Sequence, residues 1–180
     1  MRIHQTEITV VRGSVLDQDV DAVVNAANTA MRGGGGIDGA THRAAGPELM
    51  RELQRVAPHG AKTGTVVVTG GHRLKQRHVF RTPGPVWNGG RSQERALLAS
   101  CYRTCMDQAQ RLQLSSLGFC SISTGVYGFP LDLAAPIALS TVAEWLRGRP
   151  ETSLRRLVFA MFGAQEFDVF SAALRELEAG

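Results

Sequence analysis

With 180 residues, 43% of them hydrophobic and 20% charged, the chain has the size and balance of one folded domain, which excludes a disordered segment and a coiled coil. Its longest unbroken apolar stretch, residues 157–162, is far below the roughly 20 residues that span a bilayer. The opening MRIHQTEITV carries no apolar signal-peptide core, so a cytoplasmic protein is expected. The net charge of +4 suits an anionic partner, but the 18 Arg and two Lys form no run interleaved with aromatics, so a dedicated nucleic-acid binder is not expected.

In chain order, residues 7–11 (EITVV) and 21–25 (DAVVN) read as short strands rich in β-branched residues. A segment of Ala, Asn and Gly follows to residue 36. From Asp38 the pattern is helical to about Val56, broken at Gly46-Pro47. Residues 65–69 (TVVVT) and 78–81 (HVFR) are two further strands, followed by the Pro/Gly loop TPGPVWNGG. Ser92 is the expected N-cap of a helix running to about Leu112, with Leu98, Cys101, Cys105, Ala109 and Leu112 on its apolar stripe. Residues 117–122 form the next strand, and a helix starts near Asp132 with Leu133, Ile137, Val142 and Trp145 toward the core. Residues 156–162 are a continuous buried strand, and Phe167, Phe170, Leu174 and Leu177 mark a last helix.

Strands alternating with helices predict an α/β fold: one three-layer domain over residues 1–180, with a largely parallel sheet covered on both faces. Three cysteines, Cys101, Cys105 and Cys120, make an odd count without a CxxC pair, so neither a disulfide framework nor a zinc cluster is encoded. Reduced thiols packed as small hydrophobes are expected.

In open α/β sheets ligands sit at the C-terminal ends of strands, where loops deliver helix N-termini. Two loops here have that form. The first ends in Gly33, Gly34, Gly35 and Gly36 directly before a helix start, a run whose use is close approach of backbone N–H groups to a phosphate. Gly34, Gly36 and Gly39 satisfy G-x-G-x-x-G, but the match begins too far from the preceding strand for a dinucleotide fingerprint, and no Walker A loop is present. The second loop, STGVYGF at residues 123–129, again joins strand to helix with two glycines and two small hydroxyls. Two such loops facing one crevice suit a diphosphate.

The strings VDAVVNAANTAMRGGGGIDGATHRAAGPEL, TGTVVVTGGHRL, RTPGPVW and SISTGVYGFP together resemble the macrodomain family, and within it the MacroD-type branch of ADP-ribose-binding hydrolases. The similarity runs from about Ile3 to Leu177. It implies a macro fold, a central mixed sheet between helices, with ADP-ribose lying across the sheet's crest. Carried over by position, Gly33 to Ile37 and Ser123, Thr124, Gly125, Val126 and Tyr127 would clamp the diphosphate and distal ribose. Asn28 would bond that ribose, Asp38 matches the catalytic aspartate, and His42 is its neighbour on the same helix face. Ser14 and Val15 would be substrate-binding, with Ser14 accepting from the adenine amine; Phe162 would pack on adenine, and Tyr127 or Phe129 would cover the distal ribose.

The residues alone allow plainer roles: Asn25 and Asn28 as turn formers, Asp38 as a helix N-terminal charge, Phe162 as core. The sequence also departs from the family pattern. Ser14 stands where many relatives carry an adenine-contacting Asp, an exchange of a charged acceptor for a neutral one worth about 1 kcal/mol. Asp17 or Asp19 could compensate. Ala61-Lys62 and Arg81 replace the common Cys-Pro and His, and no chemical role is expected of them. The resemblance thus implies a mono-ADP-ribosyl hydrolase acting on modified Asp or Glu, and on O-acetyl-ADP-ribose, by a positioned water. Neither a metal nor another cofactor is expected, and a monomer is. The alternatives are a non-catalytic ADP-ribose reader and a charge-driven binder of RNA or poly(ADP-ribose).

Overall fold

A computed structural model describes all residues, 1–180. Seven strands form one sheet: β1 (Arg2–Ile3), β2 (Thr6–Arg12), β3 (Ala22–Ala27), β4 (Val67–Gly70), β5 (His78–Pro83), β6 (Ser116–Phe119) and β7 (Arg156–Met161). Their spatial order is β1-β2-β7-β6-β3-β5-β4. The five inner strands, β2, β7, β6, β3 and β5, run parallel, and the short edge strands β1 and β4 are antiparallel to their neighbours. The helices are α1 (Gly36–Ala45), α2 (Pro47–Val56), α3 (Glu94–Arg111), α4 (Leu131–Arg147) and α5 (Ala164–Ala179).

Because successive strand side chains point to opposite faces, each inner strand feeds two layers. Ala22, Val24, Phe80, Leu117, Phe119, Leu157 and Phe159 face α3, α4 and α5, in a core of 31 buried residues that also holds Tyr102, Phe170 and all three cysteines. The cysteines are free. The opposite face is thinner: Val23, Val79, Val158 and Ala160 form a cluster of six with Val15 and Val20, and α1 lies over β3. This is the three-layer α/β arrangement that the alternating elements predict.

The differences from the sequence expectations have local causes. The helical stretch opens at Gly36, ahead of Asp38, and is divided by Gly46 at φ 86° with Pro47 at the start of α2, where its missing N–H costs nothing. Ser92 does not cap α3. The capping residue is Gln93 in a left-handed conformation, and the buried Glu94 carboxylate accepts instead from the backbone N–H of Asn88, Gly90 and Ser92. Strands β6 and β7 stop at Phe119 and Met161, so Cys120, Ile122 and Phe162 belong to the loops beyond them. No helix is long and apolar enough to cross a membrane.

Candidate functional site

At the C-terminal ends of the parallel strands lies a cleft made of two confluent pockets. One, of about 380 Å³, sits beyond β2 and β7 and is half apolar, with Ser14, Val15, Ile37, Cys120, Phe162 and Glu166 on its walls. The other, of about 440 Å³, sits beyond β3 and β6 and is lined by Asn28, Asp38, Gly34 to Gly36 and Ser123 to Tyr127. Gly36, Ile37, Ser121 and Glu166 line both. The result is an elongated groove with an apolar end and a glycine-rich polar end.

Asp38 is the most constrained polar group in the groove. It is only 5% exposed, in the first turn of α1. Its Oδ1 accepts from Asn25 Nδ2 at 2.8 Å and from Arg81 Nη1 in an ion pair. Asn25 and Arg81 are register partners on β3 and β5, so the sheet itself aims both donors at α1. Arg81 is fully buried. A buried guanidinium persists only with a counter-charge, and removing one partner of such a pair costs about 3–5 kcal/mol. Oδ2 carries none of these bonds and lies 3.7 Å from where a Cβ on Gly34 would stand, and Asp38 lines the groove.

The first loop is held by polar contacts. Asn28 donates to the Gly33 carbonyl at 3.0 Å and accepts from the Met31 N–H at 3.1 Å, closing the turn before the glycine run. The loop then lies flat on α1 because position 39 has no side chain: a Cβ there would stand 2.7 Å from the Gly34 carbonyl oxygen. The N–H groups that open α1 have no acceptor within the helix, and Gly36, Ile37 and Asp38, which carry them, line the groove. The second loop is held by apolar contacts instead. Phe129 is buried against Trp87 with ring centroids 4.7 Å apart, and the Trp87 N–H donates to the Tyr127 carbonyl at 2.8 Å. Ser123 adopts φ 67°, a conformation costly for a residue with a Cβ, and its buried hydroxyl has no partner.

At the apolar end, Phe162 is 81% exposed, an aromatic face open to a flat ligand. Ser14 already accepts from the Leu16 N–H at 3.2 Å, capping a short 3-10 turn, Val15–Asp17, and keeps its own proton to donate. Burial pushes the Cys120 thiol up to about 11, which leaves it a protonated wall rather than a nucleophile. Glu166, in the first turn of α5, is the acid of this pocket, and burial holds its carboxyl above the ordinary range. Asp17 and Asp19 do not line it; Asp19 pairs with Lys75 at 3.1 Å.

The groove therefore brings together Ser14, Val15, Asn28, Gly34, Gly35, Gly36, Ile37, Asp38, Ser123, Thr124, Gly125, Val126, Tyr127 and Phe162. Three expected residues stand elsewhere. Phe129 is core beneath the second loop, because its ring is consumed by Trp87. Gly33 and His42 line a separate concavity behind the first loop. His42 Nε2 is 3.7 Å from Asp38 Oδ1 on the side away from the groove, and its pKa is lowered by burial and by the Arg81 charge against the pull of Asp38. Arg81, given no role from sequence, and Asn25, read as a turn former, are the residues that fix Asp38. A charged residue directly after the apolar pair Val79-Phe80 in the strand string HVFRTP was the signal for Arg81.

A family model described as "Macro domain" matches residues 24–138, which span both loops. The chain belongs to the macro domain family. A macro domain-containing protein of Ralstonia nicotianae is 44% identical over 176 residues, covering 98% of this chain and 99% of its own. One of Caldanaerobacter subterraneus is 42% identical over 174 residues, covering 96% and 98%. Among solved structures, an Oceanobacillus iheyensis macrodomain variant with ADPR superposes with a TM-score of 0.93 at 35% identity, covering 100% of this chain and 98% of that one. A Trypanosoma brucei macrodomain in complex with ADP-ribose gives a TM-score of 0.86 at 41% identity, covering 93% of this chain and 68% of that one. The macro fold thus carries the groove described above, with its paired loops at the strand ends.

Proposed function

We propose that this macro domain binds ADP-ribose in the groove and hydrolyses the ester that joins the distal ribose to an Asp or Glu of a modified protein, with O-acetyl-ADP-ribose as a second substrate. On this reading it belongs with the MacroD-type hydrolases. Adenine lies at the apolar end on Phe162, between Ser14 and Val15; the diphosphate lies between the two loops; the distal ribose reaches Asn28 and Asp38. The groove's two confluent pockets match that order, and the Oceanobacillus and Trypanosoma macrodomains carry ADPR and ADP-ribose respectively.

The observation that carries the hydrolytic reading is the fixing of Asp38. With Oδ1 taken by Asn25 and Arg81, one oxygen is left for the groove, and it is held still. Oδ2 accepts a hydrogen bond from the attacking water, and the unpaired loop N–H groups hold the diphosphate beside it. Water adds to the ester, the ester C–O bond breaks, and ADP-ribose leaves with the free carboxylic acid. Positioned acid–base groups of this kind contribute typically 10²–10⁴ in rate.

The test is a time course of ADP-ribose release from a protein mono-ADP-ribosylated on Glu or Asp. Asp38→Asn is preferred to Asp38→Ala because it keeps an acceptor for Arg81. The expected result is release by the parent, a loss of about 10²-fold or more in the variant, and ADP-ribose affinity within a few-fold of the parent. Binding without release by the parent would instead make the domain a reader, and equal rates for both proteins would remove Asp38 from the chemistry.

A further inference from the structure

Behind the first glycine loop lies a third concavity of about 520 Å³, which shares Gly34 with the polar pocket and Arg43 with the apolar one. Arg32, Arg43 and Arg73 all line it, and no Asp or Glu does. The three come from the first loop, from α1 and from the turn between β4 and β5, so only the fold assembles them. None makes an ion pair or a side-chain hydrogen bond. The acids on the neighbouring helix α2 are already engaged, Glu48 by Arg51 and Glu52 by His72 and Arg55. The floor offers glycine backbone and His42, whose buried Nε2 has no hydrogen-bond partner.

We propose that this pocket is a second anion site, which takes the phosphodiester backbone of a single-stranded nucleic acid. Three guanidiniums converging without a counter-charge repel one another, and an anion relieves that repulsion. Each presents a planar fork of donors suited to phosphate. The lining contains no Phe, Tyr or Trp on which a base could stack, so the site reads backbone charge rather than sequence. Its apolar lining is confined to Pro47 and Met50, too little to anchor peptide side chains, and a cavity of this volume admits a nucleotide-sized segment but not a duplex. The linear sequence shows no basic run, so the net charge of +4 offers nucleic-acid binding only as an alternative and names no site for it.

The test uses the whole chain and a short, unmodified, labelled single-stranded oligonucleotide, so it does not depend on any hydrolytic activity. Fluorescence anisotropy is measured over a range of salt for the parent, for Arg32→Gln/Arg73→Gln, and for Arg103→Gln/Arg175→Gln, which removes the same charge from exposed positions outside the pocket. The pocket variant should bind about tenfold more weakly, with a log–log salt slope shallower by about 1.4, or 0.7 for each phosphate no longer neutralised. The control should match the parent, and ADP-ribose affinity should be the same in all three, which shows an intact fold and groove. The proposal fails if the parent does not bind the oligonucleotide. It fails equally if both variants lose the same affinity, if the pocket variant keeps the parent's affinity, or if a phosphopeptide of equal charge binds the pocket more tightly.

Discussion

The two loops that face the groove are built in opposite ways. The first is placed by polar contacts: Asn28 closes its turn, Gly39 lets it lie on α1, and the Asp38–Arg81 pair sits directly beneath it. The second is placed by the tilted Trp87–Phe129 ring contact and by backbone hydrogen bonds from the Trp87, Gly128 and Phe129 N–H groups, and neither of those rings reaches the ligand cleft. In the first loop the residues that hold the structure are also those offered to a ligand, so position and chemistry cannot be varied separately. In the second they can.

That contrast sets the order of expected effects. The largest belongs to Arg81. Arg81→Met leaves Asp38 as a buried, uncompensated carboxylate and should cost about 3–5 kcal/mol in urea denaturation. Adding Asp38→Asn should recover much of that stability while turnover stays lost. Simple addition of the two single-variant costs would show that the pair is not coupled. Phe129→Ala should cost a similar amount or slightly less, about 3 kcal/mol, through lost packing. Here kcat for ADP-ribose release, measured well below the unfolding temperature, should stay within a few-fold of the parent, since the first loop is untouched.

Gly39→Ala comes next. Its Cβ must displace the Gly34 carbonyl from 2.7 Å, so the glycine run lifts off α1. Overpacking of this kind costs about 1–3 kcal/mol, and ADP-ribose affinity measured by calorimetry should fall at least tenfold. An unchanged affinity would mean that the loop does not hold the diphosphate. The smallest effect is at Glu166, between the two regions. Its pKa is raised above the ordinary 4.5 by burial, so its folded form favours the neutral acid. The stability this gives is present below the ordinary value and is lost as pH climbs through the raised one. Glu166→Gln should therefore raise Tm at pH 7, by about 2 °C or less, and lose that advantage below pH 4.5.

Much of this architecture is legible in the sequence because it follows local rules. β-branched runs gave the strands, the Gly46-Pro47 pair gave the α1–α2 break, and the glycine run before Asp38 gave the first loop. What stayed hidden depends on pairing between distant segments. Arg81 and Asp38 are 43 positions apart and meet only because β5 lies beside β3. Asn25 looked like a turn former because asparagine often is one, yet in the last half of β3 it is a buried donor. The family resemblance implies Phe129 as an alternative to Tyr127 for covering the ribose, but a Pro/Gly loop about 40 residues earlier in the chain brings Trp87 onto its ring. The Arg32, Arg43 and Arg73 cluster shows the same limit at the surface.

The burial of all three cysteines has a practical consequence. With the Cys101 and Cys120 thiols pushed up to about 11, and the Cys105 thiol also raised well above its ordinary value by burial, the native protein is nearly inert to thiol reagents at neutral pH. Modification therefore reports opening rather than reactivity. Cys101 and Cys105 lie inside α3 against the main core, so their labelling clocks opening of that layer. Cys120 lies on the groove wall, so its labelling clocks movement at the cleft mouth. The wild-type chain thus carries two internal timers, one for the scaffold and one for the groove, with no dye or engineered residue required.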